Sequence, residues 1–298
     1  MKRWSDVPVY AAMRAALAGV KVLPRPLALG AGAVAGRIAH AAGLRRRVTE
    51  DNLAAAFPEM DAGARGVLTR RVYEHFGRMA VDSLRLSASG PSALVPYVTG
   101  GEIVRIVKEA LAKGRGAIIL TGHLGNWELA GAYLAATGFP VAAVVKPPSN
   151  PYLARHTEQV RLRLGIESVD MPDAKTAIPQ ALRRNRAVGL VADQGALRSN
   201  IWAPFFGRPT KTPAGPGLFA VRSGAPVLFG VLVATPGGRY ELMGEVLLEE
   251  AAGDVEEASR QIAVLFRKRL EALVRRYPEQ YLWTHRLWKQ QPTPEGAP

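Results

Sequence analysis

Four short, uninterrupted apolar segments constrain the fold of this 298-residue chain more than any other feature. Each is four to seven residues long and is flanked by longer stretches with helical spacing of apolar residues. They span residues 117–120, 141–145, 188–191 and 227–233. Such runs are typical of strands that are buried on both faces. Strands that alternate with helices require a mainly parallel sheet. The sequence therefore predicts an α/β fold with a mainly parallel central sheet and helices on both faces.

Apolar residues at helical spacing predict the helices around these strands. The predicted helices span residues 61–86, 102–113, 127–137, 151–164, 175–184 and 259–277. In the last helix the apolar residues form one stripe, and Arg267, Lys268, Arg275 and Arg276 are predicted to lie mostly off it. Residues 240–248 are predicted to add an edge strand.

The composition is that of a globular chain and excludes several kinds of site. Hydrophobic residues make up 48% and charged residues 21%, far from the composition of a disordered chain. There is no cysteine, so disulfides, thiolate metal sites and cysteine nucleophiles are excluded. The five histidines show no metal-ligand spacing, and we expect no metal. We expect one domain over residues 45–290 and a frayed tail over residues 291–298.

The N-terminal segment, residues 1–44, combines apolar stretches with positive charge. Residues 1–50 carry nine Lys or Arg and two acids, in a chain of net charge +14. Basic residues interrupt the apolar stretch, so no window of about 18 uncharged apolar residues predicts a clean transmembrane helix, and no signal peptide is evident. The pattern predicts amphipathic helices that lie on an anionic membrane surface. Packing on the domain's own core is the alternative.

The segment 114–131 carries the pattern that most directly indicates chemistry. It is predicted as a strand, a turn bracketed by Gly122 and Gly125, and a helix, so His123 follows the carboxyl end of the strand, where open α/β sheets bind ligands. Glu128 lies in the first helical turn and can fold back onto one imidazole nitrogen, as the orienter of a general base. The alternative is a structural histidine and a favourable charge near a helix N-terminus. No Gly-x-Ser-x-Gly motif is present, which favours direct attack by a substrate hydroxyl over a covalent acyl-enzyme.

This block and several later segments resemble the bacterial lipid A biosynthesis acyltransferases, a family that includes phosphatidylinositol mannoside acyltransferases. Residues 114–131 resemble the family's His-x4-Asp/Glu block, and Glu128 makes the block more similar to the lipid A branch. Further segments that fit in the expected order are Asn-Leu-Ala-Ala-Ala-Phe-Pro-Glu at 52–59, Arg-Leu-Arg-Leu-Gly at 161–165, Asp-Gln at 193–194, Pro-Phe-Phe-Gly at 204–207 and Trp-Thr-His-Arg at 283–286.

The resemblance implies a glycerolipid-acyltransferase-like fold and a membrane-associated O-acyltransferase. The fatty acyl chain would come from a thioester of acyl carrier protein or coenzyme A, with no metal and no other cofactor. It would pass to a hydroxyl of a glycolipid, of lipid A precursor type, at the cytoplasmic face of the cell inner membrane. A phosphatidylinositol mannoside or another glycolipid is the alternative acceptor. The protein would be peripheral or shallowly anchored at the anionic inner-membrane surface.

Six residues are candidates for binding substrate: Asn126, Arg161, Asp193, Gln194, Phe205 and Phe206. Arg161 is predicted to contact an oxyanion or phosphate near the thioester carbonyl, with Arg163 as its competitor and a solvated helix charge as the alternative. Asp193 and Gln194 follow the strand at 188–191 and lie at the same sheet edge as His123, where they can bind headgroup hydroxyls. A loop-capping role is the alternative for Asp193.

The phenylalanine pair at 205–206 is a candidate for lining an acyl channel, and core packing is its alternative. Two other functions are also compatible with the sequence. A nucleic-acid-associated protein fits the basic charge but lacks a recognisable binding motif, so no nucleic-acid partner is expected. A thioester hydrolase, in which water replaces the acceptor, fits the same catalytic residues.

Overall fold

The computed structural model describes residues 6–195, 199–251 and 253–289, and the predicted tail at 291–298 lies outside them. The helices are α1 (Asp6–Val22), α2 (Arg25–Ala41), α3 (Arg46–Ala56), α4 (Ala62–Ser89), α5 (Gly101–Ala112), α6 (Trp127–Ala136), α7 (Pro151–Arg163), α8 (Ala174–Arg183), α9 (Gly215–Ser223) and α10 (Val255–Arg276). The strands are β1 (Val98–Thr99), β2 (Ala117–Thr121), β3 (Val141–Val145), β4 (Ile166–Asp170), β5 (Ala187–Val191), β6 (Asn200–Phe205), β7 (Arg208–Pro213), β8 (Val227–Thr235) and β9 (Arg239–Leu248).

Seven strands form one mostly parallel sheet in the order β1-β9-β8-β2-β5-β3-β4. Only the β8–β9 pair is antiparallel within it. The four apolar segments are the strands β2, β3, β5 and β8, and β2 and β8 are buried along most of their length. These observations confirm the predicted mixed α/β fold with a mainly parallel sheet.

The sheet edges differ from the prediction. The segment predicted as an edge strand is β9, but the two-residue strand β1 pairs on its outer side. The opposite edge is β4, which the apolar pattern did not reveal because Glu167 and Asp170 interrupt it. The strands β6 and β7 form a separate antiparallel pair, and their prolines are tolerated because a two-stranded ribbon leaves free edges.

The register of the central strands positions the site. Strands β2 and β5 are parallel neighbours, and Thr121 pairs with Val191 at their carboxyl ends. The residues that follow both strands therefore meet at one edge of the sheet. Residues 278–285, which follow α10, return to this edge. The main-chain N–H of Gly125 donates to the carbonyl of Gln280 at 2.9 Å, and the main-chain N–H of Leu282 donates to the carbonyl of His123 at 3.0 Å.

Helix α2 packs closely on α4 through small residues. A Cβ atom at Gly36 would lie 2.1 Å from the carbonyl oxygen of Tyr73, so only glycine allows the two backbones to approach this closely. Arg25 at the start of α2 forms an ion pair with the buried carboxylate of Asp82, with Nη2 2.5 Å from Oδ2. The hydroxyl of Tyr240 donates to the same oxygen at 2.6 Å. These contacts fix α2 against the α/β core.

The other face of α2 exposes large apolar side chains. Leu27 is 61% exposed and Ile38 is 65% exposed, and Val34 lies between them. Among the helices that the structure describes, none is long and apolar enough by itself to cross a membrane. Helices α2 and α3 reach that length and hydropathy only as a pair, and they meet at an angle of 92°.

Candidate active site

His123 and Asp193 form a closely bonded pair at the carboxyl edge of β2 and β5. The Nδ1 atom of His123 lies 2.7 Å from Oδ1 of Asp193, and the main-chain N–H of His123 donates to Oδ2 at 2.9 Å. Both carboxylate oxygens are therefore engaged by the same residue. The side-chain amide of Gln194 lies 3.3 Å from Nδ1. The structure thus brings together three of the residues that the sequence placed at this edge.

The partner of the imidazole differs from the prediction. Glu128 was expected to fold back onto His123, but Asp193 takes the position beside Nδ1. Glu128 instead forms an ion pair with Arg161, with Oε1 3.0 Å from Nη2. The first turn of α6 directs the Glu128 carboxylate toward α7, whereas the β2–β5 register places Asp193 next to the histidine.

Charge and burial shift the pKa values of His123 and Asp193 in opposite directions. Burial alone would lower the pKa of His123, but the charge and hydrogen bond of Asp193, with a smaller contribution from Glu128, raise it above its ordinary value. Burial alone would raise the pKa of Asp193, but His123 and Arg267 lower it. The carboxylate therefore stays ionised and favours a proton on Nδ1. This arrangement leaves Nε2 as the hydrogen-bond acceptor of the neutral ring.

Arg267 holds the loop that carries Asp193. Its completely buried guanidinium donates to the carbonyl of Asp193 at 2.9 Å, to the carbonyl of Lys211 at 2.8 Å and to Oγ1 of Thr212 at 2.7 Å. The prediction that Arg267 lies off the apolar stripe of α10 is wrong. Its position, three residues before the buried Leu270, was the signal that could have placed it inside.

The two arginines of α7 have different surroundings. The side chain of Arg161 is only 14% exposed and is fixed by Glu128, which is half-exposed. Arg163 is exposed, and its Nε donates at 3.3 Å to the carbonyl of Gln159 in its own helix. Of the two candidates for an oxyanion contact, Arg161 is the one that the structure places beside the His-x4-Glu block.

Asn126 is used inside the protein. Its side chain caps α6, since Oδ1 accepts from the main chain of Leu129 at 3.2 Å, and Nδ2 donates to the hydroxyl of Ser83 at 2.9 Å. It is 1% exposed, which differs from the predicted contact with substrate. The neighbouring Gly125 has a φ of +62°, and a Cβ atom there would lie 2.0 Å from the carbonyl oxygen of Leu232. The turn between His123 and α6 therefore requires glycine.

Phe205 and Phe206 pack in an aromatic cluster in the core. Their ring centroids lie 4.8 Å apart, and Phe206 also contacts Phe57 at 5.2 Å and Trp283 at 5.8 Å. Phe205 is completely buried and contacts Tyr281 at 5.8 Å. Both rings thus occupy core positions in this structure, and the predicted place on an acyl channel stays a prediction.

An aromatic residue that the sequence analysis did not single out lies beside the histidine. The ring of Trp127 meets that of His123 edge to face, with centroids 4.7 Å apart. Phe76 of α4 lies 6.5 Å from Trp127. The two aromatic rings make the surroundings of His123 apolar on this side, and both side chains are partly exposed.

The segments that resembled the family also converge in space. Asn52 donates to the carbonyls of Trp283 at 2.7 Å and of His285 at 2.5 Å, so α3 holds the C-terminal segment. Arg45 donates to the carbonyl of Thr284 at 2.7 Å.

In the part of the chain that the structure describes, no three His, Asp or Glu side chains are placed to hold a metal ion.

Comparison with known proteins identifies the class of protein that this fold and site define. The model of the family "bacterial lipid A biosynthesis acyltransferase" matches residues 2–290, so the chain belongs to this family and is an acyltransferase. It is similar to the lipid A biosynthesis lauroyltransferase of Escherichia coli, with 28% identity over 93% of this chain and 89% of the relative. It is also similar to the phosphatidylinositol mannoside acyltransferase of Mycolicibacterium smegmatis, with 26% identity over 90% of this chain and 88% of the relative.

A further relative is the phosphatidylinositol mannoside acyltransferase of Mycobacterium tuberculosis, with 36% identity over 40% of this chain and 39% of the relative. Relatives named for a lipid A reaction and relatives named for a mannoside reaction thus both match this chain. Membership of this family implies two substrates, an acyl donor and a glycolipid acceptor.

Proposed function

We propose that this acyltransferase moves a fatty acyl chain from an acyl thioester to a hydroxyl of a glycolipid, with His123 as the general base. The observation that carries the proposal is the bond between Nδ1 of His123 and the buried carboxylate of Asp193 at the ligand-binding edge of the sheet. A carboxylate on Nδ1 holds the imidazole in one orientation and stabilises the imidazolium that forms during reaction. Asp193 therefore takes the orienting role, and the donor is a thioester of acyl carrier protein or coenzyme A.

The proposed reaction needs no covalent acyl-enzyme. The acceptor hydroxyl oxygen attacks the thioester carbonyl carbon while its proton moves to Nε2 of His123. A tetrahedral oxyanion forms, and its collapse breaks the carbon–sulfur bond. The departing thiolate takes the proton back from the imidazolium. The products are an ester of the glycolipid and the free thiol, and the enzyme returns to its starting state.

Arg161 is the proposed electrostatic partner of the oxyanion. Its side chain is largely buried and the Glu128 carboxylate fixes its position, which supports preorganised stabilisation of charge that develops in the transition state. Glu128 thus positions Arg161 and adds negative charge near His123. One relative named for lipid A biosynthesis and one named for phosphatidylinositol mannoside match this chain over most of its length. We propose a lipid A precursor type of acceptor, with a phosphatidylinositol mannoside as the second candidate.

We place the protein at the cytoplasmic face of the inner membrane, bound through α2. The apolar face formed by Leu27, Val34 and Ile38 supports this proposal, because half-exposed or fully exposed apolar side chains gain free energy in a lipid interface. The double variant Leu27→Glu/Ile38→Glu should sediment with anionic vesicles at least about tenfold less. Val264→Glu, at an exposed apolar position of α10, is the matched control. Equal sedimentation of all three proteins would contradict this binding face.

Transfer assays with purified protein test the reaction itself. His123→Ala should lower acyl transfer to glycolipid by roughly 10²–10⁴-fold, because proton transfer from the hydroxyl is lost. Circular dichroism checks that the variant folds. Consumption of the thioester is measured with and without the acceptor: equal rates would identify a hydrolase, and normal transfer by His123→Ala would exclude the catalytic role.

A further inference from the structure

A cavity of about 530 Å³ lies between α7, the carboxyl ends of β3 and β4, and the start of α8. It opens at the same edge of the sheet as His123, since β3 and β4 run parallel to β5 and β2. Arg161 lines this cavity and also binds Glu128, so one guanidinium joins the cavity to the candidate active site. Its volume falls in the range of about 300–1,000 Å³ that is usual for small-molecule sites.

The charge of this cavity is opposite to that of the protein. Its lining has four carboxylates, from Glu158, Glu167, Asp170 and Asp173, and two guanidinium groups, although the chain has a net charge of +14. Glu167 is neutralised by ion pairs with arginines of the α8–β5 region. Over the residues that the structure describes, Glu158, Asp170 and Asp173 take part in no ion pair. Three carboxylates are thus available to a ligand.

Hydroxyl groups complete the polar lining. Thr157 and Ser168 line the cavity, and the hydroxyl oxygen of Ser168 is buried without a hydrogen-bond partner. Carboxylates accept hydrogen bonds from hydroxyl groups and repel phosphates. The lining therefore fits an uncharged, polyhydroxylated ring better than the phosphate-bearing arm of a thioester carrier.

We propose that this cavity binds a sugar ring of the acceptor headgroup, with Glu158, Asp170 and Asp173 as acceptors for its hydroxyls. This inference rests on the proposed function and adds the place where the acceptor is held. Arg161 lines the cavity and pairs with Glu128 of the His-x4-Glu block, so the sugar lies beside this block and the thioester approaches from elsewhere. Phosphate groups of the acceptor lipid lie outside the cavity.

Kinetics of two conservative variants test this placement. Glu158→Gln and Asp170→Asn should each raise the KM for the glycolipid acceptor by about tenfold, the effect of a lost charge-assisted hydrogen bond, while the KM for the thioester stays the same. Glu256→Gln, an exposed carboxylate of α10, is the matched control and should change neither constant. A rise in the thioester KM would assign the cavity to the donor and overturn the proposal, and so would unchanged constants in both variants.

Measurements of glycoside binding test the cavity assignment independently of acyl transfer. Methyl α-mannopyranoside and methyl N-acetyl-β-glucosaminide are used as uncharged probes, and inorganic phosphate as the anionic probe, with binding followed by saturation-transfer NMR. At least one glycoside should bind the parent protein and bind Asp170→Asn about tenfold more weakly. Absence of glycoside binding, equal binding by the variant, or competition by phosphate would overturn the cavity assignment. Failure of acyl transfer in a protein that binds glycosides would instead contradict the proposed function.

Discussion

Replacing Asp193 with asparagine distinguishes the two carboxylates near His123. In the structure one oxygen of Asp193 accepts from the main-chain N–H of His123 at 2.9 Å and the other faces Nδ1 at 2.7 Å. Asparagine keeps the size and the oxygen that accepts from the main chain, but it turns an NH₂ donor toward Nδ1. Nδ1 must then act as acceptor, so the ring proton moves to Nε2. Nε2 then cannot take the proton of the hydroxyl.

The expected loss follows from this change of tautomer. In a serine protease triad the same substitution lowers turnover by about 10⁴-fold. We expect Asp193→Asn to lower kcat for transfer by about 10³–10⁴-fold, or about 4–5.5 kcal/mol in the activation free energy. Glu128→Gln should lower it by no more than about tenfold, because the Glu128 side chain is 50% exposed and solvent screens its charge.

The assay is transfer of a radiolabelled acyl chain from thioester to glycolipid in mixed micelles at saturating concentrations of both substrates. Thermal unfolding checks that Asp193→Asn is folded. Asp61→Asn is the matched control, because Asp61 caps α4 and asparagine caps a helix equally well. Near-normal transfer by Asp193→Asn together with a loss of about 10³-fold in Glu128→Gln would return the orienting role to Glu128.

Three further variants test the turn, the electrostatics and the C-terminal contact. Gly125→Ala should lower the free energy of unfolding in urea by about 1–3 kcal/mol from backbone strain and by more from the clash with the carbonyl of Leu232. An unchanged free energy of unfolding would refute the close approach. Glu128→Gln removes a charge that raises the pKa of His123, so the acid limb of the kcat/KM profile, where the base becomes protonated and activity falls, should move to lower pH; an unmoved limb would contradict this. Asn52→Ala loses two hydrogen bonds to main-chain carbonyls and should destabilise the protein by about 1–3 kcal/mol in the same urea experiment, whereas a loss below about 0.5 kcal/mol would show that α3 does not hold the C-terminal segment.

The sheet was predictable where burial alone determined the sequence. Strands β2 and β8 lie in the centre, and the buried residues along most of their length are apolar or glycine. Strand β4 lies at an edge, where one side of the ladder is free, so its sequence tolerates Glu167 and Asp170 and loses the apolar signal. The hairpin β6–β7 is rich in proline for the same reason. Local sequence therefore predicts the interior of this sheet better than its rim.

The site was predictable as a location but not as a set of contacts. His123 and Asp193 each follow a buried strand, which places both at one edge. Their pairing depends on β5 lying next to β2, although β3 and β4 come between them along the chain. Such neighbour relations between distant segments leave no trace in a local pattern. The fully buried cation of Arg267 is stabilised by two distant main-chain carbonyls, and helical periodicity carries no information about them.

The C-terminal contacts join residues that are synthesised at different times. The carbonyl of His123 and the N–H of Gly125 find their partners in Leu282 and Gln280, more than 150 residues later in translation. Synthesis proceeds from the N-terminus, so α2 has already been synthesised while the histidine turn still lacks these partners. The proposed lipid-binding face of α2 is therefore synthesised before the main-chain partners of the proposed catalytic turn. A chain that ends before residue 280 would contain α2 but would lack the main-chain hydrogen bonds that hold the turn at residues 123–125.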